Sequence, residues 1–238
     1  MPRTPHIIIF LIIILALPVS LNGPSLFAGE RLDLDGVLNA MDAATVDFES
    51  LQANITYTRS IFLLDEEEIA EGTLKYKKPR KMRLEFEPPR DEIDVSNGEF
   101  FWIYKPNEKQ VEKYQLSGEE TTELSFFEFG YEGSVDKAKE NYFIESVPNS
   151  GTEGAKEDEG AYILKLIPKP SATQMPQYNE IVLWVDDSIW LPVRMEFYES
   201  DGEIINRIEL WEIKVNEPLD DDIFQFEVPE GVEVVEPL

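Results

Sequence analysis

The side chains that run most enzyme chemistry near neutral pH are scarce in this chain. Its one histidine, His6, sits in an apolar N-terminal segment, and there is no cysteine. That removes Ser-His-Asp triads, thiolate nucleophiles and zinc sites built on His or Cys. It also removes the most frequent general base at pH 7. Carboxylates are plentiful, 48 Asp and Glu, and paired carboxylates can hydrolyse glycosides. Among so many acids chance pairs are expected, so the acids alone do not argue for a hydrolase. Asp220-Asp221-Asp222 lacks the alternating ligands and glycine of a calcium loop and reads as a solvated turn. No glycine-rich phosphate loop is present. The expectation is a protein that is not an enzyme, with neither cofactor nor metal.

The chemistry that remains is apolar. In Phe100–Tyr104 (FFWIY) and Ile181–Val185 (IVLWV) both faces of a strand are apolar, whereas an antiparallel sheet with one wet face alternates. Either helices or loops cover the second face, or an incompletely filled concavity receives a guest. Phe126, Phe127 and Phe129 invite the same two readings, core packing or a hydrophobic lid.

The elements that must position these residues begin with an address. Arg3 precedes the uninterrupted apolar run Ile7–Leu17, and a polar stretch then ends at Ser25-Leu26-Phe27-Ala28. This is the order of a secretory signal peptide cleaved after Ala28. The run is well short of the roughly 20 residues that span a bilayer. Residues 29–238 are then expected as one exported, soluble domain, and with no cysteine they form neither disulfides nor a lipid-anchored N-terminus. A formal charge of −27 repels nucleic acid and anionic headgroups and favours a soluble monomer.

Leu34, Val37, Leu38, Met41, Ala44 and Phe48 recur at helical spacing behind Asp33, a reasonable N-cap. Strand patterns follow over Leu51–Leu64, Ile69–Lys77 (after an acidic turn, Asp65–Glu68), Met82–Phe86, Asp91–Val95, Phe100–Tyr104 and Gln110–Leu116. Ser96-Asn97-Gly98 is a hairpin turn. Thr121–Tyr131 and Ser134–Asn141 read as short helices, and Asn149–Gly160 as a polar turn region. Five more strands are expected at Tyr142–Val147, Ala161–Ile167, Tyr178–Asp186, Leu191–Tyr198 and Ile204–Val215, with a loop over Pro168–Pro176. Short turns between successive strands predict an antiparallel meander in an α+β layer arrangement.

The order of motifs resembles a known family. Gly72-Thr73-Leu74-Lys75-Tyr76-Lys77-Lys78-Pro79, then Met82-Arg83-Leu84-Glu85-Phe86 and Pro88, then Val95-Ser96-Asn97-Gly98 running on to Trp102, Tyr104 and Pro106, is similar to the family of LolA, the periplasmic lipoprotein carrier. Later come Leu166-Ile167-Pro168, Pro192-Val193-Arg194-Met195 and Asp201-Gly202. An ending then carries Asn216, Leu219, Phe224, Phe226, Pro229, Gly231 and Val232. The resemblance covers roughly residues 34–235. It implies an unclosed antiparallel β-barrel, a curved sheet of about 11 strands, with helices lidding the concave face. It also implies a cavity for lipoprotein acyl chains. The partners it implies are an inner-membrane lipoprotein-releasing transporter and an outer-membrane receptor. The family's functional arginine, just before the strand proline, stands here as Lys78. Lysine keeps the charge but not the planar fork that bonds several lid carbonyls.

On alternation, Leu74 and Tyr76 share a face, as do Met82, Leu84 and Phe86, and Ile181, Leu183 and Val185. These faces, with Trp102, Met195 and Phe197, are expected to line the cavity, and Lys78, Phe126, Phe127 and Phe129 to belong to the lid. A one-residue error in register inverts a strand's assignment. A periplasmic sensor or regulator that binds lipid or misfolded protein on the same fold is the alternative.

Overall fold

A twelve-stranded sheet dominates the computed structural model, which describes residues 31–116, 128–133, 135–148, 160–170, 178–200 and 202–237. Helix α1 (Leu34–Asp47) starts where its first turn is capped, with the Asp33 carboxylate accepting from the Gly36 N–H. Its apolar stripe buries Val37, Leu38 and Met41. The strands are β1 (Ser50–Ile61), β2 (Glu66–Lys77), β3 (Lys81–Phe86), β4 (Ile93–Asn97), β5 (Phe100–Lys105) and β6 (Gln110–Gln115). A π-helical turn (Glu128–Glu132) and helix α2 (Val135–Asn141) precede β7 (Tyr142–Val147). The chain continues through β8 (Ala161–Pro168), β9 (Tyr178–Asp186), β10 (Pro192–Glu199) and β11 (Ile204–Val215), and ends in a 3₁₀ turn (Asp221–Phe224) and β12 (Glu233–Val235).

The sheet order is β12-β6-β5-β4-β3-β2-β1-β11-β10-β9-β8-β7. Two antiparallel meanders, β1–β6 and β7–β11, are joined where β1 pairs with β11, Leu51 opposite Val215 and Ile61 opposite Ile204. The sheet keeps two edges, β12 and β7, so the barrel is unclosed as expected. The connection from β6 to β7 therefore leads from one flank of the sheet to the other, and the π-helical turn and α2 lie on it.

Two expectations are corrected. β12 is a twelfth strand, and it pairs parallel with β6, Glu233 opposite Gln110. Three residues carry too little periodicity to be read as a strand. Within Thr121–Tyr131 the described part is helical as expected, in the π form; Phe126 and Phe127 lie outside the described residues, as does most of Asn149–Gly160 and of Pro168–Pro176. The β1–β2 turn is Phe62–Asp65, with Glu66–Glu68 already in strand β2, because backbone pairing with Arg59–Ile61 outweighs the low strand preference of glutamate.

Candidate functional site

One face of the sheet is a continuous apolar surface. Register builds it strand by strand: Leu74 lies opposite Leu84 and Tyr76 opposite Met82, Leu183 opposite Met195 and Ile181 opposite Phe197. Since side chains alternate across a strand, these pairs fall on one face together with Phe86 and Val185. All ten belong to one buried cluster, and none is more than 8% exposed. Val37, Leu38 and Met41 of α1 and Tyr131 of the π-helical turn are in the same cluster. The face is thus covered by the helix and by the β6–β7 connection.

Trp102 is placed elsewhere. Met82 pairs with Ser96 and Ser96 with Phe101, so Phe101, 1% exposed, is the β5 residue in the covered cluster. Trp102 pairs with Val95 and packs with Val111 and Phe226 in a separate cluster on the other face. FFWIY is apolar at every position, so periodicity cannot choose its face; cross-strand partners do. Phe129 lies within the π-helical turn.

Hydrogen bonds between described residues fasten the cover. Lys78, at the start of the β2–β3 turn, donates from Nζ to the Thr45 carbonyl in the last turn of α1 at 2.6 Å, and the same ammonium stands 5.3 Å from the centre of the Phe48 ring. A helix C-terminus, rich in unpaired carbonyls, suits a cation. Burial lowers the Lys78 pKa from the ordinary lysine value, and Glu132 works against that shift. Thr45 Oγ1 donates to the Gly130 carbonyl at 3.1 Å, and Asp42 Oδ1 accepts from the Val135 N–H at 2.9 Å. The Tyr131 hydroxyl donates to the Pro192 carbonyl of β10. Gly130 has φ +88°, and a Cβ there would stand 2.7 Å from Pro192 Cδ, so only glycine lets the connection come this close. Phe48, Tyr76 and Tyr131 meet with ring centres 5.4–6.3 Å apart. Thr45, Phe101 and Tyr131 carried no periodic mark that would have singled them out.

Among the described residues no cluster of His, Cys, Asp and Glu could hold a metal, and none of their helices is long and apolar enough to cross a membrane. What the arrangement offers is a wide apolar face, covered by a helix and a turn. That defines the class: an open β half-barrel with a covered apolar interior.

Comparison with known proteins places it further. Residues 63–227 match the family described as outer membrane lipoprotein carrier protein LolA, and the chain belongs to that family. It is 26% identical over 209 residues to the outer-membrane lipoprotein carrier protein of Pseudomonas aeruginosa, a match covering 85% of this chain and 86% of that one. It is 24% identical over 211 residues to an uncharacterized protein of Methanocaldococcus jannaschii, of which it spans only 56%. An uncharacterized conserved protein from Thermus thermophilus shares the fold at TM-score 0.50 and 14% identity, over 85% of this chain and 98% of that one.

Proposed function

We propose that this protein is a periplasmic carrier that shields lipoprotein acyl chains against its concave face and moves lipoproteins from the inner to the outer membrane. Residues 1–28 act as a signal peptide, and the domain 29–238 travels free in the periplasm as a monomer. An inner-membrane transporter loads it and an outer-membrane receptor unloads it. The supporting observation is the face itself: Leu74, Tyr76, Met82, Leu84, Phe86, Ile181, Leu183, Val185, Met195 and Phe197 form one buried apolar surface under helix α1, whose last turn accepts a hydrogen bond from Lys78. Each methylene taken out of water gains about 0.8 kcal/mol. One long acyl chain therefore gains on the order of 10 kcal/mol from such a surface, and an acylated protein needs that shelter to cross water. Release needs a competitor, and α1 with the π-helical turn supplies one by covering the empty face.

Mass spectrometry of the gently purified native protein tests this directly. A co-eluting acylated polypeptide is the expected result. Protein that stays empty and also fails to draw lipoproteins from spheroplasts would overturn it.

A further inference from the structure

The β1–β2 turn is built from the wrong residues for a turn that faces only water. Gly, Asn, Asp and Ser dominate such turns, as in the β4–β5 hairpin, where Asn97 ends β4 and Gly98 turns the chain. Here Phe62, Leu63 and Leu64 are 62%, 72% and 57% exposed. The β9–β10 turn also carries apolar residues, Ile189 and Trp190, but those pack against the core. The tip is ordered by its own backbone: the Leu64 N–H donates to the Ile61 carbonyl at 3.2 Å, Asp65 to Phe62 at 3.3 Å, and Phe62 to Glu203 at 2.9 Å. Three large apolar side chains are thus held out on a preorganised knob, which lowers the ordering cost of docking.

The charge around the knob selects the occupant. Asp65, Glu66, Glu67 and Glu68 follow immediately and are all exposed, and Glu203 stands beside Phe62. This collar, on a chain of net charge −27, repels an anionic bilayer and repels a second copy of the chain. It complements a basic surface. We infer that Phe62-Leu63-Leu64 is a docking knob that enters an apolar pocket rimmed by lysine or arginine on a partner protein. The knob is distinct from the covered concave face, so this inference stands whatever that face carries.

Photo-crosslinking in intact host cells tests it, with p-benzoylphenylalanine replacing Leu63 in the full chain and, as a control, replacing Val46, an 82% exposed residue of α1. The expected result is one dominant protein adduct from position 63 and none from 46. Peptide mapping should place the crosslink in an apolar segment bordered by Lys or Arg, and E66K/E67K/E68K should cut the yield at least tenfold. An adduct that survives charge reversal, maps to an acidic or uniformly polar surface, or forms equally at 46 overturns the inference. So does the absence of a protein adduct. Flotation of the purified protein with phosphatidylethanolamine/phosphatidylglycerol vesicles, abolished by Leu63→Ser, would also overturn it and assign the knob to a bilayer.

Discussion

Apolar residues are covered on both faces of the sheet, but by different means. The concave face is covered by α1 and the β6–β7 connection, fastened through Lys78–Thr45, Thr45–Gly130 and Tyr131–Pro192. The convex face over β1–β6 is strapped by the C-terminal segment at many points. Ser50 donates to the Glu217 carbonyl at 2.7 Å, Lys77 to the Leu219 carbonyl at 2.7 Å, and Arg83 to the Ile223 carbonyl at 3.3 Å. Lys77 and Lys81 both reach Asp221, and their bonds hold its carboxyl down to about 2. Phe226 lies against Trp102 and Tyr104, and β12 adds ladder bonds to β6. Apolar burial alone does not tell a structural surface from a working one. The two covers differ in kind: a helix and a turn on one face, the C-terminal segment of the chain on the other.

If the strap is structural, breaking it costs stability without changing access to the concave face. Phe224, in the 3₁₀ turn, is wholly buried. Phe224→Ala is expected to cost about 3–5 kcal/mol, the range for a large core truncation, read as a lower urea midpoint. Binding of 1-N-phenylnaphthylamine, an apolar dye, should stay unchanged below the transition. A marked rise in dye binding would erase the distinction between the faces.

The other half of the convex face is held by charge. Glu196, 5% exposed, accepts from Arg194 at 2.7 Å, Arg207 at 2.8 Å and the Tyr198 hydroxyl at 2.7 Å, and Arg194 lies 4.2 Å from the centre of the Trp184 ring. Burial pushes the Glu196 carboxyl up, but Arg194, Tyr198 and Arg207 together bring it below the ordinary value. A carboxylate with a lower pKa folded than unfolded contributes stability that is complete above about pH 4.3 and fades as pH falls through its folded value. Glu196→Gln is expected to cost about 2–3 kcal/mol at pH 7, because Arg207 is partly hydrated. The gap to the unaltered protein should narrow on acidification towards pH 3, measured by denaturation at each pH. A gap independent of pH would mean the arginines do not act through the ionised carboxylate.

The sequence carried the parts of this architecture that are local. Asp33 and the stripe from Leu34 to Phe48 define α1, because capping and helical periodicity need only neighbours. The assignments for β2, β3 and β10 follow from alternation, whereas β9, apolar on both sides from Ile181 to Val185, is fixed by its pairing with Met195 and Phe197. Alternation does not place Trp102, because Phe100–Tyr104 has no polar residue to break its symmetry; Ser96 opposite Phe101 and Phe226 against Trp102 make the choice. The turn Phe62–Asp65 carries a strand-like pattern because apolar residues mark strands more often than tips. The pairing of β1 with β11 and the burial of Tyr131 depend on contacts remote in sequence, and no local pattern encodes them.

The smallest expected effect bears most directly on the concave face. Lys78→Met removes the ammonium from the Thr45 carbonyl and leaves a helix-end carbonyl that water can reach. The cost to overall stability should therefore be about 1 kcal/mol or less. A closed cover competes with any guest, so the free energy of the fastening enters the apparent affinity directly. A loss of about 1 kcal/mol then raises the apparent affinity for 1-N-phenylnaphthylamine about fivefold, with the urea midpoint nearly unmoved. Lys78→Arg keeps the charge and presents a planar fork of donors to the same helix end, so its dye affinity should equal or fall below that of the unaltered protein. If both variants bind dye alike, the Lys78–Thr45 bond does not control the cover, and the concave face is closed by packing of Phe48, Tyr76 and Tyr131 instead.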